Sequence, residues 1–227
     1  MEPRHSAGFP RLAERSWRLA LRAAEPLGKW WIDWERLGPQ IPDGPVVVAS
    51  NHFSNIDPVV VSMTVQRPIR YLAVDELYGN SALFDRLTLW LGAIPMSRTR
   101  APLGALRTAL AELSAGGTVG VFPEGVRVWT WGEVEPKRGA AWLALRTGVP
   151  LVPVAIWGTD LVMGRGGTRI ERRPVTGVRC EPVFPDHHRD AADPLGVMTA
   201  EWKRRVADAL EDVARRRRRR AGQTGRA

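Results

Sequence analysis

The sequence predicts an α/β fold, a largely parallel central sheet flanked by helices, and three observations carry that prediction. Short apolar runs without polar alternation (Val46 to Ala49, Thr118 to Phe122, Leu151 to Trp157) read as strands buried on both faces, as parallel sheets require. Between them lie stretches with a helical apolar period, among them Leu103, Leu106, Leu110 and Leu113. The strands run into turns rich in Gly, Pro or Asn ahead of the next helix, which is the alternation of repeated β–α units.

Composition bounds the rest. A chain of 227 residues fits one domain, able to bury roughly 70% of its unfolded surface. The single cysteine, Cys180, excludes an internal disulfide framework and fits a reducing compartment. No run approaches the ~20 apolar residues of a membrane span, and the first residues lack the apolar block of a signal peptide, so a cytoplasmic chain is expected. The net charge of +9 sits at the ends: +7 in residues 214–227, +3 in residues 1–31, and −1 in the body between them. Basic ends on a neutral body suit an anionic membrane surface. Six consecutive arginines, Arg215 to Arg220, would bind any polyanion, but the body has no basic stripe, so nucleic acid is not an expected partner. Cys180 and the His187-His188 pair lack ligand spacing, so neither a metal nor a cofactor is expected.

Taken in order, residues 9–34 read as an amphipathic helix or a pair of helices. Phe9, Ala13, Trp17, Ala20, Ala24, Leu27 and Trp31 recur on one face, and Arg11, Arg15, Arg18, Arg22 and Lys29 on another. Pro26 and Gly28 should break the helix before Lys29. Trp30, Trp31 and Trp34 cluster there, and tryptophan favours the boundary between water and lipid. Residues 1–38 are therefore expected to be a membrane-contact segment. After a turn-rich loop, Gly38 to Pro45, come the strand at Val46, a helix over 58–66, a strand from Pro68 to Val74 and a helix over 81–91. Gly92 to Arg98 is too rich in breakers for helix. A helix over 102–115 ends at Gly116-Gly117. Helix 139–147, the strand at Leu151, a strand near Val175 to Val183 and a last helix over 197–213 complete the body, and 214–227 should be a disordered arginine-rich tail.

The chemistry gathers where strands meet turns. Val46 to Ala49 leads into Ser50-Asn51-His52-Phe53-Ser54-Asn55-Ile56-Asp57-Pro58, with Asp57 expected as a helix N-cap and Pro58 in the first turn. An imidazole ordered by a carboxylate can take a proton from a hydroxyl near neutral pH. The spacing alone means little: His188 and Asp193 repeat it in a polar stretch that reads as surface loop. Only His52 stands behind a buried strand and ahead of a capped helix. Glu124, at the mouth of another buried strand and followed by Gly125 and Arg127, can set an acid and a base beside a polar ligand. Arg98 also lies beside a turn.

Four stretches together resemble the glycerophospholipid acyltransferase family, whose best-known members are 1-acyl-glycerol-3-phosphate acyltransferases. Asn51 to Asp57 looks like its first block, Gly92 to Arg98 the second, Phe122-Pro123-Glu124-Gly125-Val126-Arg127 the third, and Leu151 to Ile156 the fourth, in the family's order over about residues 45–160. The resemblance implies an acyltransferase catalytic domain over 39–213. It would move a fatty acyl group from acyl-CoA or acyl carrier protein to the free hydroxyl of a lysophospholipid, first of all 1-acyl-glycerol-3-phosphate, giving phosphatidic acid. His52 would be the base and Asp57 its orienting carboxylate. Arg98 would grip the acceptor phosphate, with Arg127 beside it, and Glu124 and Gly125 would shape the acceptor pocket. The chain would work peripherally on the inner face of the cell membrane. It departs from the pattern at Val126 and Val128, in lacking a lysine around residues 73–77, and in Trp129 and Trp131, and these departures leave a different lyso-lipid or an amine-bearing lipid as the alternative acceptor. The rival readings are an inactive membrane-associated scaffold and a polyanion-binding protein.

Overall fold

A computed structural model describes residues 11–74, 92–96, 103–164 and 171–224. Its strands are β1 (Trp34–Leu37), β2 (Val46–Ser50), β3 (Arg70–Val74), β4 (Ile94–Met96), β5 (Thr118–Val121), β6 (Leu151–Trp157) and β7 (Val175–Arg179). The helices are α1 (Arg11–Ile32), α2 (Asp57–Val65), α3 (Leu103–Ser114), α4 (Gly139–Thr147), the short α5 (Thr159–Val162) and α6 (Pro194–Thr224). The strands form one sheet in the order β1-β7-β6-β2-β5-β3-β4. β2 to β6 run parallel, β7 is antiparallel to β6, and β1 pairs parallel with β7. The α/β class expected from the sequence is the architecture found. The helix expected over 81–91 lies outside the described residues.

β2 is central, with Val47 opposite Leu151 on one side and Val119 on the other. Its alternate residues serve different cores, which is why the run carries no polar positions. Val47 and Ala49 join the apolar cluster under α3, α4 and α6, while Val46 and Val48 join the one under α1 and α2. Each fully buried valine contributes roughly 1.5–3 kcal/mol. β1 and β4 were not anticipated. β1 is a short, mostly polar edge strand, and β4 contains Pro95, which an edge strand tolerates because one side of its backbone needs no partner.

Three expectations about the ends require correction. First, α1 does not break at Pro26 but continues to Ile32. Pro26 is exposed, so its ring meets no core. Its cost of about 3 kcal/mol is offset by burial of Trp17 and Leu21 before it and Ile32 after it. Gly28 is no breaker either: a methyl group there would lie 2.9 Å from Met63 Cε, so glycine lets α1 close on α2. Second, the residues expected to share one apolar face are divided: Trp17 and Ala24 turn inward with Leu21, Gly28 and Ile32, while Ala20 and Leu27 are exposed with Leu19 and Trp30. Third, the arginine run is not disordered: α6 carries it to Thr224. Arginine is a good helix former, and acids supplied by a distant strand hold the run in place. Arg217 Nη1 donates to Asp33 Oδ2 at 2.7 Å and its Nη2 to Thr176 Oγ1 at 2.9 Å. Arg220 donates to both oxygens of Glu35, at 3.3 and 3.1 Å. The arginine run thus packs against β1 and the residue that joins it to α1.

Candidate active site

The loops after β2, β5 and β6 leave the same edge of the sheet, the carboxyl end of its parallel strands. Asn51 fixes the first of them. Its Nδ2 donates to Ile156 O at 2.8 Å and its Oδ1 accepts from Ile156 N–H at 2.8 Å, so one amide side chain extends the ladder to β6. Ser54 Oγ donates to Met163 O at 2.6 Å, tying the loop to the end of α5.

Asp57 is not the N-cap. Ile56 holds that position with no side-chain bond, and Asp57 is the first helical residue. Its carboxylate folds back over the loop instead. Oδ2 accepts from the backbone N–H groups of Phe53 at 2.6 Å and Ser54 at 2.7 Å, and lies 2.8 Å from His52 Nδ1. The carboxylate is fully buried, and the imidazole is 18% exposed. Since Oδ2 can only accept, Nδ1 carries the hydrogen and Nε2 is left with the lone pair. Asp57 Oδ1 is buried and has no partner among the described residues.

The third block closes over this pair. Glu124 Oε2 accepts from the His52 N–H at 2.7 Å, and His52 O accepts from Val128 N–H at 2.9 Å. The turn closes through Gly125 N–H to Phe122 O at 2.9 Å, with Gly125 at φ +69°, a left-handed conformation that glycine adopts without strain. Glu124 is 3% exposed, and burial, aided by the charges of Asp57 and Glu133, pushes its carboxyl up to about 8 against the pull of the His52 N–H. At pH 7 it is therefore mostly neutral. Its Oε1 has no partner among the described residues. Arg127 donates to Asn55 Oδ1, joining the two loops at their rim.

Of the residues singled out in the sequence, His52, Asp57, Glu124, Gly125 and Arg127 come together, and Arg98 lies outside the described residues. Phe122 and Tyr71 were missed. The Phe122 ring stacks on His52 with centroids 4.0 Å apart, and Tyr71 stacks on the other side of Phe122 at 5.6 Å. The Tyr71 hydroxyl donates to Pro58 O at 2.9 Å, buttressing the start of α2. The position of Phe122, between a buried strand and Glu124, was the available signal. Among the described residues no group of three or more His, Cys, Asp and Glu could hold a metal ion, and no helix is long and apolar enough to cross a membrane.

Fold and site together define an α/β protein with a carboxylate-oriented histidine at the carboxyl ends of its parallel strands, the edge where such sheets bind ligands. Comparison with known proteins narrows this: the sequence model of the family described as Acyltransferase matches residues 35–157, and the chain belongs to that family. It is 32% identical over 117 residues to a 1-acyl-sn-glycerol-3-phosphate acyltransferase of Bacillus subtilis, covering 51% of this chain and 57% of that protein. It is 27% identical over 172 residues to a chloroplastic 1-acyl-sn-glycerol-3-phosphate acyltransferase of Arabidopsis thaliana, covering 74% of this chain and 46% of that one. The chain thus spans about half the length of these relatives. Among solved structures it is similar to the 1-acyl-sn-glycerophosphate acyltransferase PlsC of Thermotoga maritima, with a TM-score of 0.66 and 25% identity, covering 88% of this chain and 83% of that one.

Proposed function

We propose that this protein transfers a fatty acyl group from a thioester, acyl-CoA or acyl carrier protein, to the free hydroxyl of 1-acyl-glycerol-3-phosphate, giving phosphatidic acid. The observation that carries the reading is the His52–Asp57 pair, in which a carboxylate fully withdrawn from solvent fixes one ring nitrogen and leaves Nε2 as the base. The acceptor hydroxyl gives its proton to Nε2 as its oxygen attacks the thioester carbon. Asp57 stabilises the imidazolium that forms. When the tetrahedral intermediate collapses, the C–S bond breaks and the imidazolium returns the proton to the departing sulfur. No protein nucleophile is required, and Ser54 is already engaged in holding the loop. Glu124 holds the His52 backbone, Gly125 opens the acceptor side, and Arg127 and Arg98 are the guanidinium groups assigned to the acceptor phosphate. The names of the similar proteins support this acceptor.

The same reading puts the protein on the inner face of the cell membrane through α1. Leu19, Leu27 and Trp30 are exposed at helical spacing beside Arg22 and Lys29, an apolar stripe flanked by charge that suits the headgroup boundary of an anionic leaflet. Purified protein, liposomes, labelled oleoyl-CoA or oleoyl-acyl carrier protein and a panel of lysophospholipids test the reaction. Labelled phosphatidic acid formed by the parent and nearly lost in His52→Ala is the expected result. A folded, liposome-bound parent that transfers nothing from either donor to any acceptor overturns it in favour of a scaffold.

A further inference from the structure

The roles above leave Tyr71 unassigned. It stands on β3 opposite Gly120 of β5, and a methyl group on Gly120 would lie 2.4 Å from Tyr71 Cδ1 and 2.5 Å from Cε1. Glycine there lets the phenol ring lie across the neighbouring strand. From that seat the residue reaches toward both members of the His52–Asp57 pair. Its ring stacks on Phe122 with centroids 5.6 Å and planes 12° apart, and Phe122 in turn stacks on His52 at 4.0 Å and 19°. Its hydroxyl donates at 2.9 Å to Pro58 O, the carbonyl of the residue that follows Asp57, and lies 3.0 Å from Ser62 Oγ one turn further along α2.

Aromatic rings beside a site are ordinarily core packing, and packing alone asks for no particular plane. Here three planes are close to parallel, and they meet a need of the pair. The bond between Asp57 Oδ2 and His52 Nδ1 fixes one corner of the imidazole but leaves the ring free to rock about its Cγ–Nδ1 edge, which swings the Nε2 lone pair. A flat face at 4.0 Å stops that motion, and Phe122 holds its face there because Tyr71 fills the far side. The electron-rich face also steadies the imidazolium form. At the other end, the hydroxyl bond holds the first turn of α2, where Asp57 begins the helix. Burial pushes the Tyr71 hydroxyl well above the usual phenol range, against the pull of its bond to Ser62 and with the charge of Asp57 adding to the rise. Tyr71 therefore keeps its proton, and its bond to Pro58 O, while His52 gains and loses one.

We propose that Tyr71 is a positioning residue for the His52–Asp57 pair: through Phe122 it sets the plane of the imidazole, and through Pro58 O it fixes the helix start that carries Asp57. It acts through these neighbours, not on the reacting atoms. The positioning stands on the geometry, and only its effect on rate rests on the acyl-transfer reading.

The test uses the full chain with Tyr71→Leu, which removes ring and hydroxyl, and Tyr71→Phe, which keeps the ring, each shown folded by circular dichroism and melting. Pro58 O keeps Ser62 Oγ at 2.8 Å as a partner in both, so no buried carbonyl is stranded. Should leucine not fold, Tyr71→Met is read in the same way. Proton NMR reads His52 without turnover: the chain has four histidines, and His52→Ala identifies its ring signals. An imidazole lying over an aromatic face has its ring protons shifted upfield. Tyr71→Leu is expected to move them downfield and to lower kcat at least about tenfold with the acceptor KM kept. Tyr71→Phe is expected to hold the parent signals and recover most of kcat. Parent-like His52 signals in folded Tyr71→Leu overturn the proposal, as does a kcat that stays at the parent value or an equal loss in Tyr71→Phe. Signals that move in Tyr71→Leu when the parent itself transfers nothing sink the reaction and leave the positioning standing.

Discussion

Two stretches of this chain carry a histidine followed five residues later by an aspartate, and the fold sends them to different partners. His52 and His188 have equally exposed side chains, 18% each. Yet His52 meets its own Asp57 at 2.8 Å, whereas His188 Nε2 lies 3.0 Å from Glu201 on α6. Asp193, half-exposed, pairs instead with Arg138 at 2.9 Å and accepts the Gly196 N–H at 3.0 Å. The difference lies in what precedes each histidine. Behind His52 is a strand buried on both faces and an Asn51 locked to β6, so the chain turns tightly and three donors converge on one carboxylate oxygen. Before His188 a single 3-10 turn, Pro185–His187, leaves the chain free to follow the surface. Spacing is cheap; a buried strand end with satisfied backbone groups is what makes a histidine–aspartate pair.

That comparison can be broken at several points. The largest effect is expected at the pair itself: His52→Ala or Asp57→Asn lowers the transfer rate by roughly 10²–10⁴-fold, measured as labelled phosphatidic acid formed, while His188→Ala leaves it unchanged. Comparable losses at both histidines would remove the distinction drawn here. Next comes Asn51→Ala, which strands the buried N–H and C=O of Ile156 at about 1–3 kcal/mol each, a loss that denaturant melts would register together with lower activity.

Glu124→Gln gives a smaller, pH-dependent effect. The folded carboxyl holds its proton up to about 8, against an ordinary 4.5, so between those values the unfolded chain binds fewer protons than the folded one. The parent therefore loses stability as pH rises through that window, by up to about 1.4 kcal/mol per pH unit, and the glutamine variant does not. Urea melts at pH 5 and pH 8 measure it, and parallel curves for the two proteins would refute it. The smallest effect is His188→Ala, whose partly exposed pair with Glu201 is worth no more than about 1 kcal/mol.

The sheet was legible because β2, β5 and β6 are apolar at nearly every residue, and His52 and Glu124 because each follows such a strand. What escaped notice did so for physical reasons. β1 is short and polar because it sits at an edge, so it carries no apolar run to find. An acid ahead of Pro58 fits a cap, so the sequence points Asp57 to that place; its burial beneath the loop depends on His52 facing it, which only the folded loop decides. The single apolar face expected of α1 is divided because the helix is apolar on two sides, and sequence period does not say which side the core takes. The order of the arginine run is not visible locally because its partners, Asp33 and Glu35, lie nearly two hundred residues away.

Those distant pairs give the sheet an uneven resistance to opening. Among the described residues β1 pairs in the sheet only with β7, and it is further held by guanidinium groups that reach Asp33, Glu35 and Thr176 and whose attraction salt screens. β2, between β5 and β6, has no such dependence. Amide hydrogen exchange should therefore be fastest at β1 and the end of α6 and quicken there as salt is raised, with β2 unmoved. With β1 paired on one side only among the described residues, loosening it would leave an edge open to strand addition.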